Sequence, residues 1–347
     1  MEKFDVIVIG GGAAGLSGAL TLARARRAVA LVDAGRPRNA PAEGVHNFLT
    51  RDGMRPAALV AEGRAEVTRY GGVVIEGVAR GARRTGAGFE VDLDGGRRLA
   101  ARRLLVASGL VDELPDVAGL RERWGRDVVH CPYCHGWEVR DRAIGVLGGG
   151  AMAADKALLF RQWSPDVVLF THTAAPLSGT HAAAPLSGAA HAAAPPSGET
   201  ETAGALTAAQ AERLAARGVR VVEGVVEAVE VVDGEVAGLR LADGTVVARE
   251  VVAVTTRMVA SSPVLDDLGL KPVEHPAGAA YPAGPAGQSE LPGLWLAGNV
   301  TDVMAQVVTA AAQGVTAGAA INMDLVADDA DRAVAAQLSG NAVTTIP

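Results

Sequence analysis

Apolar residues near the start of the chain run unbroken through Val6-Ile7-Val8-Ile9 and give way to Gly10-Gly11-Gly12-Ala13-Ala14-Gly15. A short continuous apolar run closed by glycines predicts a buried strand and a tight turn. From Leu16 to Arg24 the apolar spacing becomes helical, and Val29-Ala30-Leu31-Val32-Asp33 is a second strand ending on a carboxylate. Strand, glycine turn, helix and strand form a βαβ dinucleotide-binding unit. The pattern returns at Ala143-Ile144-Gly145-Val146-Leu147, followed by Gly148-Gly149-Gly150, a helix to about Trp163 and a strand at Val167-Val168-Leu169-Phe170. Between the two, Arg103 to Gly109 reads as a strand ending in the small-residue turn Ala107-Ser108-Gly109, and Gly293 to Asn299 repeats that form. Such turns let backbone come close to a bound molecule.

The later pattern completes the plan. Val219–Val222 and Val225–Val232 have β character, with Asp233-Gly234 and Asp243-Gly244 as hairpin turns. From Val251 the chain is expected to return to the first unit, with a helix after Gly298 covering the first strand's cofactor. The fold class expected is α/β, with two Rossmann-like dinucleotide-binding domains of the three-layer ββα type. The first domain (1–112 and 252–323) is split around the second (113–251). Residues 171–203 break the pattern as a low-complexity insert: Thr171–Gly179 is echoed by Thr180–Gly188 and, loosely, by Ala189–Gly198. Its spaced His172, His181 and His191 read as repeat expansion and not as a metal site. The acidic tail, 324–347, reads as a frayed helix.

Composition narrows the classes. With 347 residues and 49% hydrophobic content, the chain can bury a sizeable core or two. The net charge is −7 and the 32 basic residues are scattered, so no nucleic-acid footprint is expected. The apolar stretch Val303–Ala320 is interrupted by Gln306, Thr309, Gln313 and Thr316, which suits a buried helix better than a membrane span. The first residues lack a basic segment and cleavage site, so a soluble cytoplasmic protein is expected. In that reducing compartment the chain's only two cysteines are expected to be catalytic or metal-binding.

Those cysteines stand in Cys131-Pro132-Tyr133-Cys134-His135-Gly136. The spacing admits a redox pair, a zinc half-site with His130 and His135, or a CxxCH haem signature. Four zinc ligands packed into six residues could hardly wrap one tetrahedral ion, and covalent haem attachment needs export and a distant axial ligand. The redox reading is favoured, no metal is expected, and His130 reads as structural. Gly10, Gly12 and Gly15 satisfy GxGxxG, with the helix start stabilising phosphate charge and Asp33 placed for a ribose.

Together with Leu291-Pro292-Gly293-Leu294-Trp295-Leu296-Ala297-Gly298, these motifs resemble the low-molecular-weight thioredoxin reductases over residues 1 to about 323, the insert excepted. The resemblance implies an FAD enzyme, a homodimer, whose FAD domain is split around a nicotinamide domain carrying the CxxC. It places Gly10, Gly12, Ala13, Ala14, Gly15, Asp33, Ala34, Arg38, Asn39, His46, Asn47, Ala107, Ser108, Gly109, Gly298, Asn299, Gln306 and Val307 at the FAD. Gln306 and Val307 would start the helix facing the isoalloxazine. It implies that Cys131 exchanges with substrate sulfur and that Cys134 faces the flavin.

Three positions depart from the reductase pattern. His135 stands where an aspartate is usual, and Cys-Pro-aromatic-Cys-His-Gly is similar to the dithiol oxidases that close disulfides in gliotoxin, holomycin and romidepsin biosynthesis. No arginine cluster follows the second unit's second strand, where Phe170-Thr171-His172-Thr173 stands, so a vestigial loop is favoured over functional NAD(P)H binding. Asn299 replaces the usual aspartate and can still accept a hydrogen bond from the cofactor. The activity expected is FAD-dependent oxidation of a small-molecule dithiol by Cys131 and Cys134, with His135 as base and O2 as final acceptor. The alternative is NAD(P)H-dependent reduction of a thioredoxin-like protein.

Overall fold

The computed structural model describes residues 1–172 and 206–339. Apart from Thr171 and His172, the expected insert lies outside them. The first sheet has the order β3-β2-β1-β6-β5-β4, from β1 (Glu2–Ile9), β2 (Val29–Asp33), β3 (Val73–Glu76), β4 (Ala79–Thr85), β5 (Gly88–Leu93) and β6 (Arg98–Val106). The strands β1, β2, β3 and β6 are parallel, while β4, β5 and β6 form an antiparallel meander. Alternation along β1 divides its burial. Ile7 and Ile9 join the core with Phe89, Val91 and Leu104, whereas Val6 and Val8 pack with Leu16, Leu22, Ala317 and Ile321. The second group belongs to α1 (Ala13–Arg24) and α7 (Val307–Leu338), so this unit has sheet, sheet and helix layers. The remaining helix of this side, α2 (Pro56–Arg69), opens on a proline and contacts α1.

Two crossings join this unit to the next. They run through β7 (Val111–Glu113) and β16 (Arg257–Val259), which pair antiparallel. Between them a second sheet, all parallel, has the order β11-β10-β9-β15-β8, from β8 (Val128–Val129), β9 (Ile144–Leu147), β10 (Val167–Phe170), β11 (Arg220–Val222) and β15 (Val251–Val254). Its central strands are buried throughout, which is why their sequence is continuously apolar. The helices α3 (Pro132–His135), α4 (Gly150–Phe160) and α5 (Ala208–Ala216) belong here, with a three-stranded meander of β12 (Val226–Val232), β13 (Glu235–Leu241) and β14 (Val246–Ala248) on the other face. Asp233 and Gly234, both at positive φ, make the two-residue turn between β12 and β13. A small sheet around β16 adds β17 (Val273–His275) and β18 (Gly278–Ala280), beside α6 (Pro263–Asp267), and β19 (Leu294–Leu296) completes the first sheet against β6.

Two expectations need correction. Val251–Val254 does not return to the first unit: β15 pairs with β9 and β8, and the crossing follows at β16. The tail does not fray at 324, because α7 continues to Leu338 as one helix. Its Asp324 meets Arg103, its Asp328 and Asp329 meet Arg102 at 2.6 and 2.5 Å, and Asp329 also meets Arg27 at 2.6 Å. Pairing with three largely buried guanidinium groups on the first unit holds the acidic turn in place.

Candidate functional site

At the end of β1, a Cβ on Gly10 would fall on the Ala107 carbonyl oxygen, and one on Gly15 would fall on the Gly10 carbonyl oxygen. The φ of +103° at Gly10 makes the same demand through the backbone. Gly12, by contrast, faces nothing within 4 Å. It is the N-cap of α1, which has no side-chain cap and no acid in its first turn. A helix start with free N–H groups opening onto space is suited to an anion, whereas α5 is closed by a Thr207/Gln210 capping box. Asp33 accepts from the Gly11 N–H at 3.1 Å and pairs with Arg64, so a carboxylate stands beside the cradle. Across from it, Gln313 accepts from Gly298 N–H at 2.9 Å, and its amide donates to Asp302 at 2.8 Å. The amide of Asn299 donates to the carbonyls of Asp302 and Ala305 at 3.0 and 2.9 Å. Gln306 is the N-cap of α7 and Val307 its first residue, again without a side-chain cap. The chemistry of these donors and the open glycine fit an FAD.

Not every expected cofactor residue joins this set. The guanidinium of Arg38 is held by both carboxylate oxygens of Asp112, at 2.6 and 2.7 Å. Ala34 is exposed, and the structure gives Asn39 no side-chain partner among the described residues. Asn47, at positive φ, donates from its amide to the Tyr133 carbonyl at 2.8 Å, and His46 Nε2 lies 3.4 Å from Glu138. This loop of the first unit therefore touches the cysteine turn directly.

Cys131 and Cys134 are disulfide-bonded, with Cα atoms 5.2 Å apart. Cys131 is the N-cap of α3, and its Sγ accepts from Cys134 N–H at 3.2 Å. Pro132 begins that helix, where its missing N–H costs nothing. Both ring nitrogens of His135 are buried without a partner. Burial holds its pKa below the usual histidine value, so the ring is neutral at neutral pH with one nitrogen able to take a proton. Tyr133 packs edge-on to Trp163 at 5.8 Å, and Gly136 is closed in by the Pro132 carbonyl and the Trp163 ring.

The second glycine loop repeats the first in outline. Gly148, at φ +153°, abuts Thr255, and α4 starts at Gly150 without a side-chain cap. Beyond β10, however, stand Thr171, whose hydroxyl is buried and unpartnered, and His172, whose Nδ1 accepts from Val226 N–H at 3.1 Å. Neither a carboxylate nor a guanidinium ends this strand. Arg64, Asp112, Gln313 and Lys156 carry no site signal in the sequence, and only their neighbours in the fold give them meaning.

The family described as pyridine nucleotide-disulphide oxidoreductase matches residues 4–195. A probable thioredoxin reductase of Arthroderma benhamiae is 34% identical over 180 residues, covering 49% of this chain and 44% of that protein. Thioredoxin reductase tcpT of Claviceps purpurea is 39% identical over 152 residues, 43% of this chain and 47% of its own. The chain thus spans about half the length of these curated relatives. Among solved structures, HlmI is 44% identical, with 98% of each chain covered and a TM-score of 0.84. An oxidoreductase from Agrobacterium tumefaciens is 36% identical, covering 93% of this chain and 99% of its own, with a TM-score of 0.79. Among the described residues no helix is long and apolar enough to cross a membrane. With two Rossmann-like sheets and a CxxC disulfide between the glycine loops, the chain belongs to the pyridine nucleotide-disulphide oxidoreductase family, in its low-molecular-weight thioredoxin reductase-like branch.

Proposed function

We propose that this protein is a dithiol oxidase, which uses Cys131 and Cys134 to close a disulfide in a small-molecule dithiol. The observation that carries the reading is His135: a buried, neutral, unpartnered imidazole next in sequence to a redox disulfide. Only a thiolate exchanges efficiently with a disulfide, so a base beside the pair serves an incoming thiol. His135 takes the proton of the first substrate thiol. The thiolate attacks Cys131 Sγ, and the electron pair of the broken S–S bond leaves on Cys134. The second substrate thiol then attacks the mixed disulfide at the substrate sulfur, expelling Cys131 and completing the substrate's own S–S bond. The first unit, residues 1–112 with those following β15, would hold FAD through Gly10, Gly12, Ala13, Ala14, Gly15, Asp33, Asn299, Gln306 and Val307. Bound FAD supplies the two-electron acceptor that restores the protein disulfide and delivers the electrons to oxygen as peroxide. The end of β10 supports electron entry from a dithiol and not from NAD(P)H, since among the described residues nothing there selects a ribose or its phosphate.

The names of the curated relatives keep a second reading, NAD(P)H-dependent reduction of a thioredoxin-like protein. One experiment separates the two: flavin-loaded protein is mixed anaerobically with NADPH, NADH or a small dithiol while flavin absorbance is followed. Bleaching by the dithiol alone, reversed by air with peroxide formed and lost in Cys134→Ser, is the expected result. Rapid bleaching by NADPH overturns it.

A further inference from the structure

At the carboxyl ends of β8 and β15, polar groups lie packed below the cysteine turn and take no part in the exchange above. Lys156, in α4, donates from Nζ to the Val254 carbonyl at 2.6 Å and stands 3.4 Å from Nδ1 of His130. The same ring nitrogen lies 3.3 Å from both the Val254 carbonyl and Thr256 Oγ1. Thr256 donates to Asp112 at 3.1 Å, and Asp112 is already neutralised by both arms of Arg38. Among the described residues no carboxylate lies within ion-pair distance of Lys156. His130 directly precedes Cys131, with consecutive Cα atoms about 3.8 Å apart.

We propose that Lys156 is a positioning residue for thiol–disulfide exchange: fixed on Val254 and His130, its ammonium favours Cys131 as thiolate at the moment that sulfur is expelled. The proposal rests on the reading of Cys131 and Cys134 as the redox pair. While the disulfide is closed, the ammonium is poorly compensated. His130 is neutral, Asp112 is shared with Arg38, and burial lowers the lysine to about 7. Opening the disulfide places a negative sulfur on the half-buried Cys131, one residue from His130, and each charge then favours the other. Lys156 transfers no proton. The electron pair of the mixed disulfide goes to Cys131 Sγ, the new bond forms within the substrate, and the attacking thiol's proton goes to His135 once that ring has released the first thiol's proton to solvent. A better leaving thiolate speeds that step.

The test uses flavin-loaded protein carrying Cys134→Ser, so that Cys131 is the only thiol, and measures its alkylation by iodoacetamide from pH 5 to 9. With Lys156→Met added, the alkylation midpoint is expected to rise by about one unit, with about tenfold less thiolate at the acid end. Lys156→Arg is expected to restore the original profile. Should the methionine variant fail to hold flavin, Lys156→Gln keeps a donor without charge and must show the same rise. An unchanged midpoint in the uncharged variant overturns the proposal. The oxidase reading is tested separately, because flavin bleaching by dithiol in the wild-type chain does not depend on this profile. A shifted profile in a protein that no dithiol bleaches keeps the lysine's role and removes the oxidase.

Discussion

Gly10 and Gly148 occupy the same place in two successive units, each following a buried parallel strand and each at a positive φ. Around Gly10 the neighbours are backbone: the Ala107 carbonyl occupies the space of a Cβ, and Gly12 opens outward beyond it. Around Gly148 the neighbour is a side chain, Thr255, 2.9 Å from the would-be Cβ. The strand ends differ more. β2 ends on Asp33 beside the cradle, whereas the chain beyond β10 offers a buried hydroxyl and a histidine nitrogen already engaged by Val226. A glycine turn between strand and helix is a packing solution before it is a binding site, and the residues at the next strand's end decide whether it binds.

The largest expected effect breaks that comparison at its glycines. Gly10→Ala forces either the Ala107 turn or β1 to move, and the protein is expected to purify without flavin. Gly148→Ala is expected to keep its full flavin content and lose about 1–3 kcal/mol of stability, because its added Cβ would meet Thr255 at 2.9 Å where that of Gly10 would meet the Ala107 carbonyl at 2.2 Å. Flavin stoichiometry and thermal melting of the two variants measure both. Equal loss of flavin would mean that the two loops are not separable in function.

What could be read from the sequence follows the range of the interaction. β2 and β10 lie where their apolar runs end, and the Asp233-Gly234 turn follows from two residues that tolerate positive φ. The mistaken return at Val251 has a physical cause. A short apolar run buried on both faces looks the same in either sheet, and only its pairing with β9 and β8 decides. The acidic end of α7 read as frayed because Arg27, Arg102 and Arg103 lie more than 200 residues away in sequence. The cysteine turn reads as chemistry from adjacent residues alone, since Cys131, Cys134 and His135 lie within five positions of one another. The likeness places Arg38 at the cofactor, but its partner Asp112, 74 residues away, has no signal in the sequence. Lys156 carried no signal at all, since one lysine on a helix normally faces water.

That lysine gives the second, smaller test. Folded, it titrates at about 7 against an ordinary value near 10.5, so between those values the unfolded chain binds more protons than the folded one. Its penalty is complete below about pH 7 and fades as pH rises toward 10.5, so this group makes stability rise with pH across that window. Lys156→Met removes the penalty but takes away the short hydrogen bond to the Val254 carbonyl, leaving it the longer contact with His130 Nδ1 at 3.3 Å. The net expectation is a gain of about 1–2 kcal/mol at pH 7, shrinking toward pH 10. Denaturant unfolding of both proteins at pH 7 and 9.5 gives the difference directly. A gain that does not change with pH would place the effect in packing and not in charge.

The smallest effect separates the two strand ends themselves. Asp33→Asn can keep an oxygen for the Gly11 N–H but gives up its charge toward Arg64 and one acceptor toward a ribose. FAD affinity is expected to fall about three- to tenfold, or about 1 kcal/mol, since the glycine cradle and the helix dipole remain. At the matching place in the second unit, Thr171→Val replaces an unpartnered buried hydroxyl with a methyl group of nearly the same shape. There a neutral change or a gain below about 1 kcal/mol is expected, with FAD affinity untouched. Isothermal titration of apoprotein with FAD, with thermal melts alongside, reads both substitutions. If Thr171→Val alters turnover with a dithiol, that hydroxyl serves a ligand of the second unit after all, and the bare end of β10 no longer argues for electrons arriving from thiols alone.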